Sequence, residues 1–110
     1  MRLRRALALA ASFAAFVVVP AAPRAATVPA GFTDSTVASG LSSPTAMELA
    51  PDGRIFVAEQ GGALRIIKNG ALLAAPFLTL AVSSSGERGL IGVTLDPAFA
   101  SNGYVYVYYT

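Results

Sequence analysis

The densest group of chemistry-bearing residues in this sequence is Gly86-Glu87-Arg88-Gly89, where a carboxylate and a guanidinium stand side by side between two glycines. An ionised glutamate can only accept hydrogen bonds. Glu87 therefore suits a hydroxyl-rich ligand, a cation, the adjacent Arg88 or a purely loop-ordering role. A second candidate is the stripe Tyr104, Tyr106, Tyr108. Rings at alternate positions of one strand can stack on a sugar, but packing against a neighbouring sheet is the plainer account of such a face. Composition excludes other chemistries. The chain has no cysteine and no histidine, so it builds neither a Cys/His metal site nor a Ser-His-Asp triad. Gly86, Gly89 and Gly92 lack the Gly-x-Gly-x-x-Gly spacing of a phosphate loop, and no helical period follows them. They read as tight backbone where strands approach closely. Ser83-Ser84-Ser85 reads as a flexible lead-in to that block.

The elements that must position these residues are short strands. Thr33 to Ser39 can be extended. Thr45 to Leu49 is a short apolar-rich run closed by Pro51-Asp52-Gly53, a turn in which proline presets φ and aspartate bonds its own backbone. Arg54 to Glu59 and Ala63 to Lys68 are strands separated by Gln60-Gly61-Gly62. Asn69-Gly70 is a strong hairpin signal. Ala71 to Leu80 is a fourth strand that Pro76 marks as an edge or irregular one, and Leu90 to Leu95 is a further strand after the glycine block. An antiparallel meander of about four strands is the unit of one propeller blade.

The pattern then begins again. Leu49-Ala50-Pro51-Asp52-Gly53-Arg54-Ile55-Phe56-Val57 has a counterpart in Leu95-Asp96-Pro97, a four-residue insertion, and Asn102-Gly103-Tyr104-Val105-Tyr106-Val107. The two prolines lie 46 residues apart, inside the range of ~40–50 residues for propeller repeats. A sandwich or barrel is the alternative on pattern alone. The second copy stops inside its strand at Thr110, without a turn or a partner. Since one repeat cannot bury its apolar face alone, the sequence reads as the N-terminal part of a longer protein, with Tyr104 to Tyr109 an unpaired edge.

The front of the chain carries a different message. Arg2, Arg4 and Arg5 precede an uncharged apolar run from Ala6 to Val19, and small residues and prolines crowd Pro20 to Ala30. That layout is a secretory signal peptide over residues 1–26, with a cut falling between 21 and 30. A spanning helix wants about 20 strongly apolar residues, whereas this run is alanine-rich and broken by Pro20 and Pro23, so no membrane span is expected after cleavage. The whole chain carries a formal charge of +2. Residues 27–110 keep four basic against six acidic side chains, a net −2, so the basic balance belongs to the targeting segment and not to a nucleic-acid surface. Secreted or periplasmic localisation follows as the expectation.

Ser43-Pro44-Thr45-Ala46-Met47, Ala50 to Glu59, Gly86-Glu87-Arg88-Gly89-Leu90-Ile91-Gly92-Val93, Asp96-Pro97-Ala98-Phe99 and Asn102 to Tyr106 together resemble the opening of the glucose/sorbosone dehydrogenase family. The resemblance covers most of Gly31 to Thr110. It implies an all-β fold, a six-bladed β-propeller of which residues 27–110 supply the first blade and the start of the second. It further implies pyrroloquinoline quinone (PQQ) and calcium as cofactors and a sugar as substrate, oxidised at a hydroxyl or hemiacetal. The electron acceptor is left open. The family's histidine base and calcium ligands lie in later blades, so the resemblance places no catalytic residue and no metal ligand in this segment, which alone would be inactive. Where these enzymes carry a site-lining glutamine, this chain has Glu87, which the resemblance makes a cofactor or substrate contact. The quinone bears carboxylates that an ionised glutamate would repel, so the family resemblance also admits a non-catalytic extracellular propeller that binds carbohydrate or protein. A lactone hydrolase on another six-bladed propeller would fit the architecture but not the Gly-Glu-Arg-Gly-Leu-Ile-Gly block.

Overall fold

A computed structural model of the chain describes residues 27–110; the signal-peptide reading of residues 1–26 falls outside the described residues. Residues 27–34 belong to one compact unit and Ser35–Thr110 form another. In the first, Phe32 N donates to Pro29 O at 3.1 Å across a turn at Ala30-Gly31.

The second unit is built from two antiparallel sheets. Strands β1 (Pro44–Leu49), β2 (Ile55–Glu59), β3 (Ala63–Lys68), β4 (Ala71–Leu72) and β5 (Leu78–Thr79) make the first sheet, in the order β1-β2-β3-β4, with β5 also paired to β3. Strand β6 (Leu90–Leu95), a single helical turn α1 (Phe99–Asn102) and strand β7 (Val105–Tyr109) make the second. The turns work as their residues dictate. Asp52 Oδ1 accepts Arg54 N at 3.1 Å. Asn69 and Gly70 sit at φ 53° and 73°, the positive pair that the tightest hairpins require.

Three expectations are adjusted. Thr33 to Ser39 forms no strand. The fourth strand of the meander is two two-residue pieces, β4 and β5, on either side of Pro76, both paired to β3; proline has no N–H to offer a ladder. The tyrosine-bearing strand has a partner after all. Tyr106 and Val107 pair with Thr94 and Val93 of β6, because the insertion between the repeats is a helical turn that folds β7 back onto the preceding strand.

The core lies between the sheets. Phe56 stands opposite Ile66 and Ala58 opposite Leu64, so period-two alternation puts all four on one face. Leu90 and Phe99 close over them, with Val93, Leu95, Val105 and Val107 packed alongside. Phe56, Ala58, Leu64 and Leu90 are wholly buried, and each large apolar side chain buried in this way is worth about 1.5–3 kcal/mol. The Phe56 ring meets Phe77 and Phe99 edge-on, at centroid distances of 5.3 and 5.9 Å, the arrangement that ring quadrupoles favour.

Candidate functional site

The segment Ser83–Gly89 crosses from the first sheet to the second and is tied to both. On the first sheet, Gln60 follows β2 and donates from its single Nε2 to Gly86 O at 2.6 Å and Arg88 O at 3.0 Å. Its backbone oxygen accepts Leu90 N at 3.2 Å. Nearby, an irregularity in the β1–β2 register between Pro44 and Ala46 brings Thr45 Oγ1 to Leu90 O, to which it donates at 2.7 Å. On the second sheet, Gly89 N donates to Thr110 Oγ1 at 3.0 Å and Thr110 N donates to Gly89 O at 3.1 Å. Ser83 N donates to Thr110 O at 2.8 Å.

Gly89 is where this crossing demands glycine. Its φ is +136°, and a Cβ there would overlap the Gln60 backbone oxygen and lie 2.8 Å from Gln60 Cγ. No L side chain fits so close to another strand's backbone at that φ.

Between these ties Glu87 is exposed, and among the described residues its carboxylate has no hydrogen-bond or ion-pair partner. Arg88 does not pair with it; the Arg88 guanidinium Nε turns back to Ser85 O at 3.1 Å. Loop order comes from Gln60 and Thr110 instead of Glu87. Neither was singled out from sequence beyond the turn at Gln60-Gly61-Gly62, and no linear spacing joins Gln60 to a carbonyl 26 residues away.

A third polar residue likewise carries no linear signal of its role. Glu59 is 6% exposed, accepts Ser42 N at 2.7 Å and lies 3.7 Å from Arg65 Nη1. A buried carboxylate needs such partners, and this one holds the segment entering β1 against β2 and β3.

The tyrosine stripe splits into roles. Tyr104, Tyr106 and Tyr108 are exposed on the face of the second sheet away from the core. The Tyr106 hydroxyl donates to Asp96 Oδ2 at 2.7 Å, while Asp96 Oδ1 accepts Ala98 N at 2.8 Å and Asn102 Nδ2 at 2.9 Å. The Tyr106 hydroxyl above all, then the Ala98 N–H and the Asn102 amide, hold the Asp96 carboxyl below the usual range. The same Asp96 contact pushes the Tyr106 phenol up. This cluster secures the turn of the second repeat.

A groove of about 630 Å³ lies on the outer face of the first sheet, lined by residues that include Val37, Leu41, Met47, Ile55, Val57 and Ile67. Among the described residues its walls carry no titratable side chain and nothing covers this apolar face, so they offer no acid–base chemistry there. Among the described residues no group of three or more acidic, histidine or cysteine side chains is placed to hold a metal ion, and no helix is long and apolar enough to cross a membrane. For PQQ or calcium, the Ser83–Gly89 crossing offers one carboxylate and one guanidinium. That donor set alone does not make a site for either group.

Residues 41–110 match the family model described as Glucose / Sorbosone dehydrogenase. In structure the chain is similar to a Thermus thermophilus protein described as an oxidoreductase (glucose dehydrogenase), at 38% identity and a TM-score of 0.64 over 69% of this chain and 23% of that one. It is also similar to the PQQ-bound form of aldose sugar dehydrogenase from Streptomyces coelicolor, at 33% identity and a TM-score of 0.63 over the same shares of the two chains. In sequence, mouse Hedgehog-interacting protein is 32% identical over 83 residues, 67% of this chain and 12% of that protein. The chain thus spans less than a quarter of each of these three proteins. Its antiparallel sheets match a portion of a β-propeller sugar dehydrogenase.

Proposed function

The chain belongs to the glucose/sorbosone dehydrogenase family, and from that premise we propose that the whole protein is an exported, quinone-dependent sugar dehydrogenase. The observation that carries this reading is the likeness of the two sheets to the PQQ-bound aldose sugar dehydrogenase. The family match also runs through the entire Gly86–Gly92 block.

Bound PQQ would supply a two-electron acceptor for the sugar carbon. The residues of this chain would contribute at the rim of the site. Glu87 presents an unpartnered acceptor to a sugar hydroxyl, and the ties to Gln60 and Thr110 keep it in one place. The histidine base that the resemblance implies is not among these 110 residues, and the same resemblance places the calcium ligands in later blades. Export rests on the basic and apolar layout of residues 1–26.

A second reading is an extracellular propeller that binds carbohydrate or protein without catalysis. The similarity to Hedgehog-interacting protein favours it, as does the carboxylate of Glu87 at a position where the family resemblance implies an amide.

Titrating the full-length protein and its Glu87→Gln variant with PQQ and with aldoses tests both readings. For the quinone enzyme, Glu87→Gln preserves or tightens PQQ binding, since an amide donor replaces an acceptor facing carboxylates. For the binding propeller, the same change weakens sugar binding by about 1–3 kcal/mol, the worth of a charged hydrogen bond. If neither titration responds, Glu87 is not a ligand contact. PQQ- and calcium-dependent aldose oxidation by the full-length protein is the direct test of activity.

A further inference from the structure

We propose that Gln60 is the positioning residue for the Glu87 carboxylate, acting as a clip that brackets Glu87 from the end of strand β2. The inference rests on the reading of Glu87 as a ligand contact, but its physical content is separable.

Gln60 is itself well anchored. It directly follows the buried β2 strand, its N–H donates to Ser43 O at 3.0 Å, and its backbone oxygen accepts Leu90 N. From that fixed base one nitrogen directs both of its N–H groups to the crossing segment, to Gly86 O before Glu87 and to Arg88 O after it. Two donors on one atom fix the Gly86–Glu87 and Arg88–Gly89 peptide planes together, one on either side of the Glu87-Arg88 pair. Gly89 completes the device, because the missing Cβ lets the segment lie against the Gln60 backbone. Thr110 fixes the two ends of the segment, at Ser83 and Gly89, and leaves the stretch between them to Gln60. Without Gln60, the Ser84-Ser85-Gly86-Glu87 stretch has small and flexible residues and loses its side-chain ties to the first sheet. Glu87 would then sample many positions, and a ligand would have to order it on binding.

The test uses the full-length protein with Gln60→Met, which removes both donors, and Gln60→Glu, which keeps the shape and replaces donors by acceptors. Hydrogen exchange is read at Arg88, Gly89 and Leu90, alongside titration with PQQ and with glucose. Both variants should exchange about tenfold faster than the parent in this segment, the worth of losing one to two hydrogen bonds, with β2 and β3 amides unchanged. In Gln60→Glu the difference should shrink as pH falls, because the protonated carboxyl regains one O–H donor. Binding of the responding ligand should weaken in Gln60→Met, and adding Glu87→Ala should then cost less than it does in the parent. Exchange at the parent's rate in both variants would overturn the proposal, as would strictly additive effects of Gln60→Met and Glu87→Ala on binding. If exchange accelerates while neither Gln60→Met nor Glu87→Ala alters binding, Gln60 still sets the segment and it is the ligand reading of Glu87 that fails. Should Gln60→Met not fold, the pH-dependent exchange of Gln60→Glu decides alone, and a flat pH response refutes the clip.

Discussion

Gly89→Ala should destabilise the protein by about 3–5 kcal/mol, about two to three times as much as Gly86→Ala three residues earlier. The figure comes from two sources. A φ of +136° is closed to an L side chain, and holding one there costs about 1–3 kcal/mol. The added methyl would also overlap the Gln60 backbone oxygen and sit 2.8 and 3.1 Å from Gln60 Cγ and C. The atoms in the way include β-strand-end backbone, so the segment must lift away from the first sheet. Lifting it breaks Leu90 N to Gln60 O and Gln60 Nε2 to Arg88 O, at about 0.5–1.5 kcal/mol each. Gly86 is the internal control. Its φ of +66° is in the left-handed region with nothing within 4 Å of an added Cβ, so alanine there costs only about 1–2 kcal/mol. Urea unfolding of the full-length protein and both variants reads the gap directly. Equal destabilisation by the two substitutions would show that the Gly89–Gln60 contact is not made.

Phe56→Ala removes a fully buried ring that packs edge-on against two others, and should cost about 3–5 kcal/mol in the same unfolding experiment; a loss below about 1 kcal/mol would mean that the core is not centred there. Tyr106→Phe removes the first cause of the depressed Asp96 pKa, so the carboxyl should titrate closer to the ordinary range in a carboxyl NMR titration. The sign follows from linkage. The depressed Asp96 stabilises the fold above the ordinary aspartate range and loses that contribution as pH falls through its folded value, whereas the raised Tyr106 contributes below about pH 10 and loses it as pH rises through its own. An Asp96 titration unmoved by Tyr106→Phe would refute the contact. Exported protein should begin between Ala22 and Gly31 by N-terminal sequencing, and an intact Met1 in soluble exported material would sink the signal-peptide reading.

The strands and their turns were legible because their signals are local. Pro51-Asp52-Gly53 and Asn69-Gly70 specify backbone angles within a few residues, and alternation in Ile55–Glu59 and Ala63–Lys68 decides which side chains share a face. The repeat across Pro51 and Pro97 and the glycine block were likewise visible in one dimension, and they carried the family resemblance.

What the sequence could not show depends on which sheets meet and at what separation. The four residues that read as an insertion between repeats deliver Phe99 to the core, because a helical turn there faces Phe56. The strand that reads as partnerless in one dimension is paired with β6, since antiparallel pairing can run backwards to an element already formed. Glu87 could be picked out by type and neighbours, but its isolation from Arg88 and its bracketing by Gln60 could not. A residue's own spacing encodes backbone preference and facing, whereas a hydrogen bond across 26 residues exists only once packing of the core has brought two separate sheet ends within about 3 Å.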